Sequence, residues 1–268
     1  MHPKLTTLHF HGGSAPIGTY GALLVLALGV GAWLALRRGM RAGLEQGALI
    51  SSLALAVGGG FVGAFGVSVI VRWVQLGSWL AALAQPGIVF FGALLGGALA
   101  LAGAARRFEL PVLVTLDVML PAVPVAHAIG RVGCFFGGCC FGAPSELPWA
   151  VHYPGEAFAR HPWPLYEAAL LCVFAAIFAR PLSLRVPGRR AALYVMCYAA
   201  LRLLLEPLRG DVVRGVFWRV STSQLIAASV IVGCAYALKK LRPATRSDFQ
   251  ESAAGHGSVT KSVTASEG

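Results

Sequence analysis

The chain has 268 residues, of which 57% are hydrophobic and 12% are charged, and its mean hydropathy is +0.71. Soluble domains contain about 45–50% apolar and about 25% charged residues, so this composition excludes a soluble globular enzyme, a disordered protein and a nucleic-acid-binding domain. The six cysteines are too few for a disulfide scaffold in a chain of this length. The composition predicts a polytopic membrane protein.

Seven apolar stretches along the chain are candidates for membrane spans. A helix that crosses a bilayer needs about 20 predominantly apolar residues. Four stretches contain no Asp, Glu, Lys or Arg, and these are 17–36, 47–71, 86–105 and 220–238. Three more carry only a few ionisable residues, and these are 110–130, 163–179 and 191–208. The pattern predicts an all-α integral membrane protein with seven transmembrane helices.

The basic residues indicate the orientation of these spans. Arginine and lysine are enriched in cytoplasmic segments of membrane proteins. If the N-terminus lies outside, most of the basic residues fall on the inner side, in segments 37–41, 106–107, 180–190 and 239–261. We therefore predict an N-out, C-in topology. The net charge of +11 is then explained by topology and lipid headgroups, and no nucleic-acid partner is expected.

The chain divides into one membrane domain, residues 1–242, and a short tail, residues 243–268. The tail is rich in Ser, Thr, Ala and Gly and lacks apolar periodicity, which predicts disorder on the cytoplasmic side. Within the membrane domain, glycines crowd segments 58–66 and 92–103. Small residues let helices approach closely in membranes, so close helix–helix packing is expected at both segments, and room for a lipid tail beside a thin helix wall is the alternative.

Ionisable residues inside membrane spans are costly and usually face a cavity or a partner. Arg131 ends the fourth stretch, Glu167 lies near the start of the fifth, and Asp117 lies within the fourth. In the sixth stretch, four polar residues recur along one helical stripe, and these are Tyr198, Arg202, Glu206 and Arg209. Charges that meet at one depth predict a polar cavity open to the outer leaflet, in which two arginines can bind a lipid phosphate.

The longest segment predicted outside, residues 131–162, is rich in Gly, Cys, Pro and His. Segments of unusual composition often carry function. Trp149 and Trp163 flank its end, where aromatic residues of the membrane interface are expected.

Several motifs, in order along the chain, resemble those of bacterial prolipoprotein diacylglyceryl transferases. The stretch from Gly130-Arg131-Val132-Gly133 to Phe141-Gly142 resembles the signature motif of this family. A second family motif, Arg-His-Pro-x-x-Leu-Tyr-Glu, matches residues 160–167. A third motif, Tyr-x3-Arg-x3-Glu-x2-Arg, matches the stripe that begins at Tyr198. Four shorter pieces also resemble the family's sequence: segment 17–21, Asp117 with Pro121, Asp211, and segment 223–224. The resemblance covers roughly residues 8 to 242 and implies a multi-pass protein of the bacterial inner membrane.

The resemblance implies transfer of a diacylglyceryl group from phosphatidylglycerol to the lipobox cysteine of a prolipoprotein, giving a thioether and glycerol phosphate. The implied partners are these two substrates and membrane lipids, with no cofactor or metal. Arg131 and Arg202 would hold the phosphate, Glu206 would orient Arg202, Glu167 would join the catalytic set and Gly142 would allow close approach to the headgroup. The remaining implied substrate-binding residues are Tyr20, His161, Tyr198 and Arg209.

The signature departs from the family pattern where acid–base and amide groups are expected. Cys134, Gly137 and Cys139 stand in place of two asparagines and a glutamate, and Phe91 stands in place of a histidine that would activate the thiol. One alternative is a transferase whose base is Glu167, His127 or His161. A second alternative is a divergent paralogue that acts on another acceptor, or a catalytically silent relative that binds or moves phospholipid. A third alternative is new chemistry carried by the cysteines.

The cysteines of the signature form a Cys-x4-Cys-Cys pattern, Cys134, Cys139 and Cys140. A zinc site usually shows a second cysteine or histidine pair, which is missing here, so no metal is predicted. A structural disulfide or packed free thiols are preferred, because the segment is predicted to face an oxidising compartment. A chemically active thiol is the second alternative. The cysteines within spans, Cys172, Cys197 and Cys234, are expected to be core residues.

Overall fold

The computed structural model describes residues 4–10, 13–84, 87, 89–179, 186–209, 216–217 and 220–241. The tail predicted to be disordered, residues 243–268, and Asp211 lie outside these residues. The boundary between membrane domain and tail therefore stays a prediction.

The described residues form a helical protein with two short hairpins. An antiparallel hairpin pairs β1 (Lys4–Phe10) with β2 (Gly13–Gly18), and a second one pairs β3 (Val216–Phe217) with β4 (Val220–Ser221). The helices are α1 (Thr19–Arg41), α2 (Gln46–Leu76), α3 (Trp79–Ala84), α4 (Phe90–Arg107), α5 (Val112–Met119), α6 (Ala122–Phe136), α7 (Trp163–Ala179), α8 (Arg189–Leu205) and α9 (Thr222–Lys240). A single 3-10 turn, Glu206–Leu208, extends α8. Apart from the hairpins, the described part agrees with the predicted all-α class.

The helices have the length and surface of a membrane protein. Three of those described are long and apolar enough to cross a bilayer by themselves: α1, α2, and α8 with its 3-10 extension. The pair α5–α6 makes a fourth if it counts as one span, and α7 is apolar but shorter. Large apolar side chains lie exposed on these helices, such as Val62 at 73% and Leu204 at 76% exposure. Exposed apolar surface on this scale is stable against lipid. The number of seven spans and their orientation stay predictions.

The fourth predicted span is broken rather than continuous. Helices α5 and α6 are bent by 42° at Leu120 and Pro121. Proline has no backbone N–H and its ring crowds the preceding turn, and Pro121 and Pro124 together interrupt the helix at this point.

The glycines of α2 and α4 allow these two helices to pack in backbone contact. A methyl group added at Gly63 would overlap the Gly92 carbonyl and lie 2.9 Å from the Gly96 Cα. A methyl group at Gly59 would lie 2.8 Å from the Gly96 carbonyl oxygen. The prediction of close packing from the sequence is confirmed, because nothing larger than hydrogen fits at these positions.

The side chains that position the polar site come from α6, α7 and α8. A cluster of buried apolar residues joins these three helices, with Trp163 and Leu171 on α7 packed against Ala128 of α6 and against Tyr198 and Leu201 of α8. Trp163 and Leu171 have no exposed surface. Since the cluster fixes the helices relative to one another, polar groups on the same helices meet in a defined geometry.

The α2–α4 contact gives a test of this packing. We expect Gly63→Val to lower the free energy of unfolding by about 1–3 kcal/mol, because the added atoms overlap the α4 backbone. Gly66→Val in the same helix is the matched control, since nothing lies within 4 Å of a Cβ at Gly66. Thermal unfolding of the purified protein in detergent measures both variants. Equal losses in the two would contradict the proposed contact.

Candidate active site

A buried carboxylate lies at the centre of the polar residues. Glu167 on α7 has no exposed surface. Its Oε2 atom lies 2.8 Å from Nε of Arg131 on α6 and 3.7 Å from Nη1 of Arg202 on α8. The Tyr198 hydroxyl donates a 2.9 Å hydrogen bond to Glu167 Oε1. The structure thus brings together charges that the sequence placed on three separate helices.

The polar stripe of the sixth predicted span begins on α8 and continues into the 3-10 turn. Arg202 Nη2 lies 3.7 Å from Glu206 Oε2 across one helical turn. Tyr198 and Arg202 are buried, at 1% and 4% exposure. Arg202 therefore lies between two carboxylates, Glu206 on its own chain segment and Glu167 on α7.

Trp163 is the aromatic partner of three arginines. The guanidinium carbons of Arg131, Arg202 and Arg209 lie 5.3, 5.0 and 4.3 Å from the centre of its ring. Its indole Nε1 donates to the Leu205 carbonyl at 3.1 Å, which fixes the plane of the ring. Cations over an indole face are stabilised by the ring quadrupole. The expectation that Trp163 belongs to an interfacial belt is wrong, because it is fully buried; Trp149 is 56% exposed.

Two of the three predicted bases lie in this cluster. His127, one turn before Arg131 on α6, accepts a 3.1 Å hydrogen bond from Arg131 Nε at its Nε2 atom. Its ring stacks on Phe90 at 3.7 Å, and Nε2 lies 3.8 Å from Glu167 Oε1. Since Nε2 accepts from a guanidinium, His127 is neutral with its proton on Nδ1. Sequence reasoning named His127 as a candidate base but did not identify this contact.

The third predicted base, His161, lies in a different hydrogen-bonded group. Its Nδ1 atom lies 3.2 Å from the Tyr166 hydroxyl, which accepts from Trp149 Nε1 at 2.7 Å. Its backbone carbonyl accepts from the Gly142 N–H at 3.0 Å. His161 thus joins the loop to α7 at one end of the cluster.

Gly142 is required by the backbone packing of this loop. A Cβ at Gly142 would lie 2.6 Å from the His161 Cβ and 2.7 Å from the Leu208 carbonyl oxygen. Gly142 also pairs with Arg209 in an isolated β-bridge. The missing side chain is therefore explained by protein packing, and close approach to a lipid headgroup at Gly142 stays a prediction.

The cysteine loop folds back beside Tyr20. Tyr20, in the first turn of α1, packs on the end of α6, where a Cβ at Gly137 would lie 3.3 Å from the Tyr20 Cβ. All six cysteines lie in the described part and are free thiols, so the predicted disulfide is not formed. Cys134 is buried, as the packed-thiol alternative expects, whereas Cys139 is exposed. Tyr20 interacts electrostatically with the three thiols of the loop and with Arg131.

The pKa values of several groups in this loop are shifted, and that of the Cys139 thiol is raised to about 11. Hydrogen bonds from the Cys134 and Cys139 thiols hold the pKa of the Cys140 thiol below its ordinary value, and the positive charges of Arg131 and Arg209 act in the same direction. Burial, with the negative charges of Cys139 and Cys140, raises the pKa of the Tyr153 hydroxyl to about 12. Cys140 is therefore the thiol of this loop that ionises first.

Asp117 does not belong to this cluster. Its carboxylate accepts from the backbone N–H groups of Gly188 and Ala191, each at 2.8 Å, and so caps the start of α8 from α5. It is 1% exposed. The sequence analysis placed Asp117 with the other ionisable residues of the spans, and this grouping is wrong. The carboxylate accepts hydrogen bonds from free backbone N–H groups at the start of α8, the opposite end from Arg202.

Comparison with known proteins gives a consistent set of relatives. A family model described as prolipoprotein diacylglyceryl transferase matches residues 7–239. A phosphatidylglycerol–prolipoprotein diacylglyceryl transferase of Clostridium tetani is 31% identical over 224 residues, which cover 80% of this chain and 88% of the relative. A protein of the same name from Synechococcus elongatus is 33% identical over 217 residues, which cover 74% of this chain and 75% of the relative.

The buried carboxylate gives a stability prediction. Glu167→Ala leaves Arg131 and Arg202 buried without their shared counter-charge, and we expect it to lower the free energy of unfolding by about 3–5 kcal/mol. The matched control is Glu156→Ala, because Glu156 pairs with Arg160 where both side chains are partly exposed, and such pairs contribute about 0–1 kcal/mol. Thermal unfolding in detergent compares the two variants. A loss for Glu167→Ala no larger than for Glu156→Ala would contradict the central role of this ion pair.

Proposed function

The chain belongs to the prolipoprotein diacylglyceryl transferase family, and we propose that it transfers the diacylglyceryl group of phosphatidylglycerol to the lipobox cysteine thiol of lipoprotein precursors. The observation that carries the proposal is the group of three arginines held around Trp163. Membrane-buried arginines are costly, and their natural ligand in a bilayer is a phosphate.

The charge of the cluster suits a phosphodiester. Three guanidinium groups face two carboxylates, Glu167 and Glu206, and His127 is neutral, so the cluster carries one net positive charge. A phosphodiester carries one negative charge. Within the described residues, Nη1 of Arg202 makes no hydrogen bond, which leaves a donor for a phosphate oxygen. The leaving glycerol phosphate gains a second negative charge, and fixed cationic donors stabilise such a developing charge.

The proposed roles follow from the contacts of each side chain. Arg131 and Arg202 bind the phosphate, Glu206 orients Arg202, and Glu167 holds both arginines in place. Tyr198 fixes Glu167 through its hydroxyl. Arg209, on the same indole, is proposed to contact the headgroup. Tyr20, Gly142 and His161 are proposed to shape the entrance from the side of the loop.

We also propose that the protein spans the bacterial inner membrane seven times, with the N-terminus outside and the C-terminus in the cytoplasm. The Arg38 guanidinium donates to the Ala179 carbonyl at 3.3 Å, so α1 and α7 end on the same side. The ends of α1, α4 and α9 carry basic residues, as the positive-inside rule requires of that side. The Ala143 N–H donates to the Leu208 carbonyl at 2.9 Å, which supports a shared outer side for the start of α7 and the end of α8.

The phosphate clamp is tested by two single substitutions. We expect Arg131→Ala and Arg202→Ala each to lower diacylglyceryl transfer by about 100-fold or more, since loss of a preorganised charge donor has effects of that size. The assay supplies headgroup-labelled phosphatidylglycerol and a lipobox peptide and follows release of glycerol phosphate and the mass of the peptide.

The matched control for the clamp is Arg106→Ala, at an exposed position in the last turn of α4, which should transfer at the unsubstituted rate. Normal turnover by either clamp variant would overturn the assignment. Binding of phosphatidylglycerol without release by the unsubstituted protein would favour the alternative of a silent, lipid-binding relative.

The topology is tested by chemical labelling of single cysteines introduced into loops. The starting protein is a variant in which the six natural cysteines are replaced. Gly43→Cys, after α1, should be protected from a membrane-impermeant maleimide in intact spheroplasts. Ser145→Cys, in the loop before α7, should react. Permeabilised membranes give the control in which both positions react, and the reverse pattern in intact spheroplasts would contradict an outside N-terminus.

A further inference from the structure

Three thiols converge in the loop after α6. The Sγ atoms of Cys134, Cys139 and Cys140 all lie within 4.8 Å of one another. The chain reverses at Gly137 and Gly138, and the Cys139 N–H donates to the Cys134 carbonyl at 3.1 Å. Cys140 follows in the left-handed region at φ +58°, which L residues rarely adopt. This backbone conformation brings the three cysteine side chains of one short segment close together.

The spacing of the thiols suits a tetrahedral soft metal ion. Zinc–thiolate bonds of about 2.3 Å place two sulfurs of a tetrahedral site about 3.8 Å apart. Thiols within 4.8 Å reach this separation by small side-chain rotations. Three protein ligands with an open fourth position are typical of catalytic zinc, whereas structural zinc has four protein ligands.

Two arginines of the site also interact with the thiol loop. Three thiolates and Zn²⁺ carry a net charge of −1, and Arg131 and Arg209 both interact electrostatically with Cys140. Cys134 lies one turn beyond Arg131 on α6, on the same helical face. The Tyr153 hydroxyl, buried at 2% exposure, has no hydrogen-bond partner within the described ranges and interacts with Cys139 and Cys140. A buried hydroxyl without a partner beside the thiols indicates that a further polar group belongs there.

The side-chain bases of the site are already engaged. His127 Nε2 accepts from Arg131, and protonation there would place a cation against two arginines. Glu167 is paired with Arg131 and Tyr198. His161 bonds Tyr166 away from the arginines. An acceptor thiol therefore needs another means of ionisation, and a metal ion deprotonates a thiol that binds to it.

We propose that Cys134, Cys139 and Cys140 bind a Zn²⁺ ion whose open position takes the acceptor cysteine as a thiolate. This inference rests on the proposed diacylglyceryl transfer. The acceptor thiol loses its proton to water on binding zinc. A sulfur lone pair forms the S–C bond with the glyceryl CH₂, and the C–O bond to phosphate breaks with its electron pair on oxygen. Glycerol phosphate leaves as a dianion between the arginines, and the neutral thioether, a weak ligand, leaves the zinc.

The metal site is tested by metal content and by a cobalt spectrum. Protein purified in detergent from zinc-supplemented cells should hold about one zinc per chain by mass spectrometry of the metal. The triple variant Cys134→Ser, Cys139→Ser and Cys140→Ser should hold none. The control variant, Cys172→Ser, Cys197→Ser and Cys234→Ser, should keep its zinc. Zinc retained by the loop variant, or a disulfide between two loop cysteines in the native protein, would overturn the proposal.

The open position is tested with cobalt in place of zinc. Addition of a lipobox peptide should increase the thiolate-to-cobalt charge-transfer absorption, and the same peptide with its Cys replaced by Ser should not. Equal spectra with the two peptides would overturn acceptor binding at the metal.

Activity separates this inference from the proposed function. Removal of zinc by a chelator should lower transfer about tenfold or more, with recovery when Zn²⁺ is added back. Full transfer by zinc-free protein would overturn the zinc mechanism and leave the transferase function intact. A zinc-loaded protein that binds the peptide thiol but releases no glycerol phosphate from phosphatidylglycerol would overturn the proposed function and leave the metal site standing.

Discussion

The ion pairing of Glu167 is the interaction on which the rest of the site depends. A carboxylate with no exposed surface is stable only if cations compensate it, and Arg131 and Arg202 approach it from two other helices. Because both arginines are nearly buried as well, each group needs the others. The pairing therefore ties α6, α7 and α8 together at one depth, and the apolar cluster around Trp163 holds the same helices in register.

The same arrangement leaves the site with an excess of positive charge. Trp163 also contacts a third guanidinium, that of Arg209, through its ring face. An indole stabilises cations through its quadrupole and does not change their charge, so the three arginines and two carboxylates keep a formal charge of +1. The carboxylates thus stabilise the buried arginines, and in the proposed function the remaining positive charge binds a lipid phosphate.

Helix α6 connects the two halves of the proposed reaction. Arg131 belongs to the group of arginines around Trp163, and Cys134, one turn later, begins the thiol loop. A donor lipid held by the arginines and an acceptor thiolate held at the loop would meet near the end of this helix. Such proximity is the main requirement for transfer between two bound substrates. Asp117 stabilises the start of α8 and so contributes to the position of Arg202 from a distance.

The sequence by itself determined the membrane class, the apolar stretches and the residues that share a helical stripe, because these depend on composition and on local periodicity. It also contained the motifs of the family. Only the tertiary structure decided that Glu167 pairs with Arg131, that Trp163 is buried among arginines and that Asp117 caps α8. It also decided the bend at Pro121 and the convergence of the three thiols. These features join residues distant in sequence or depend on a chain reversal, and a helical pattern carries no information about which faces of different helices meet.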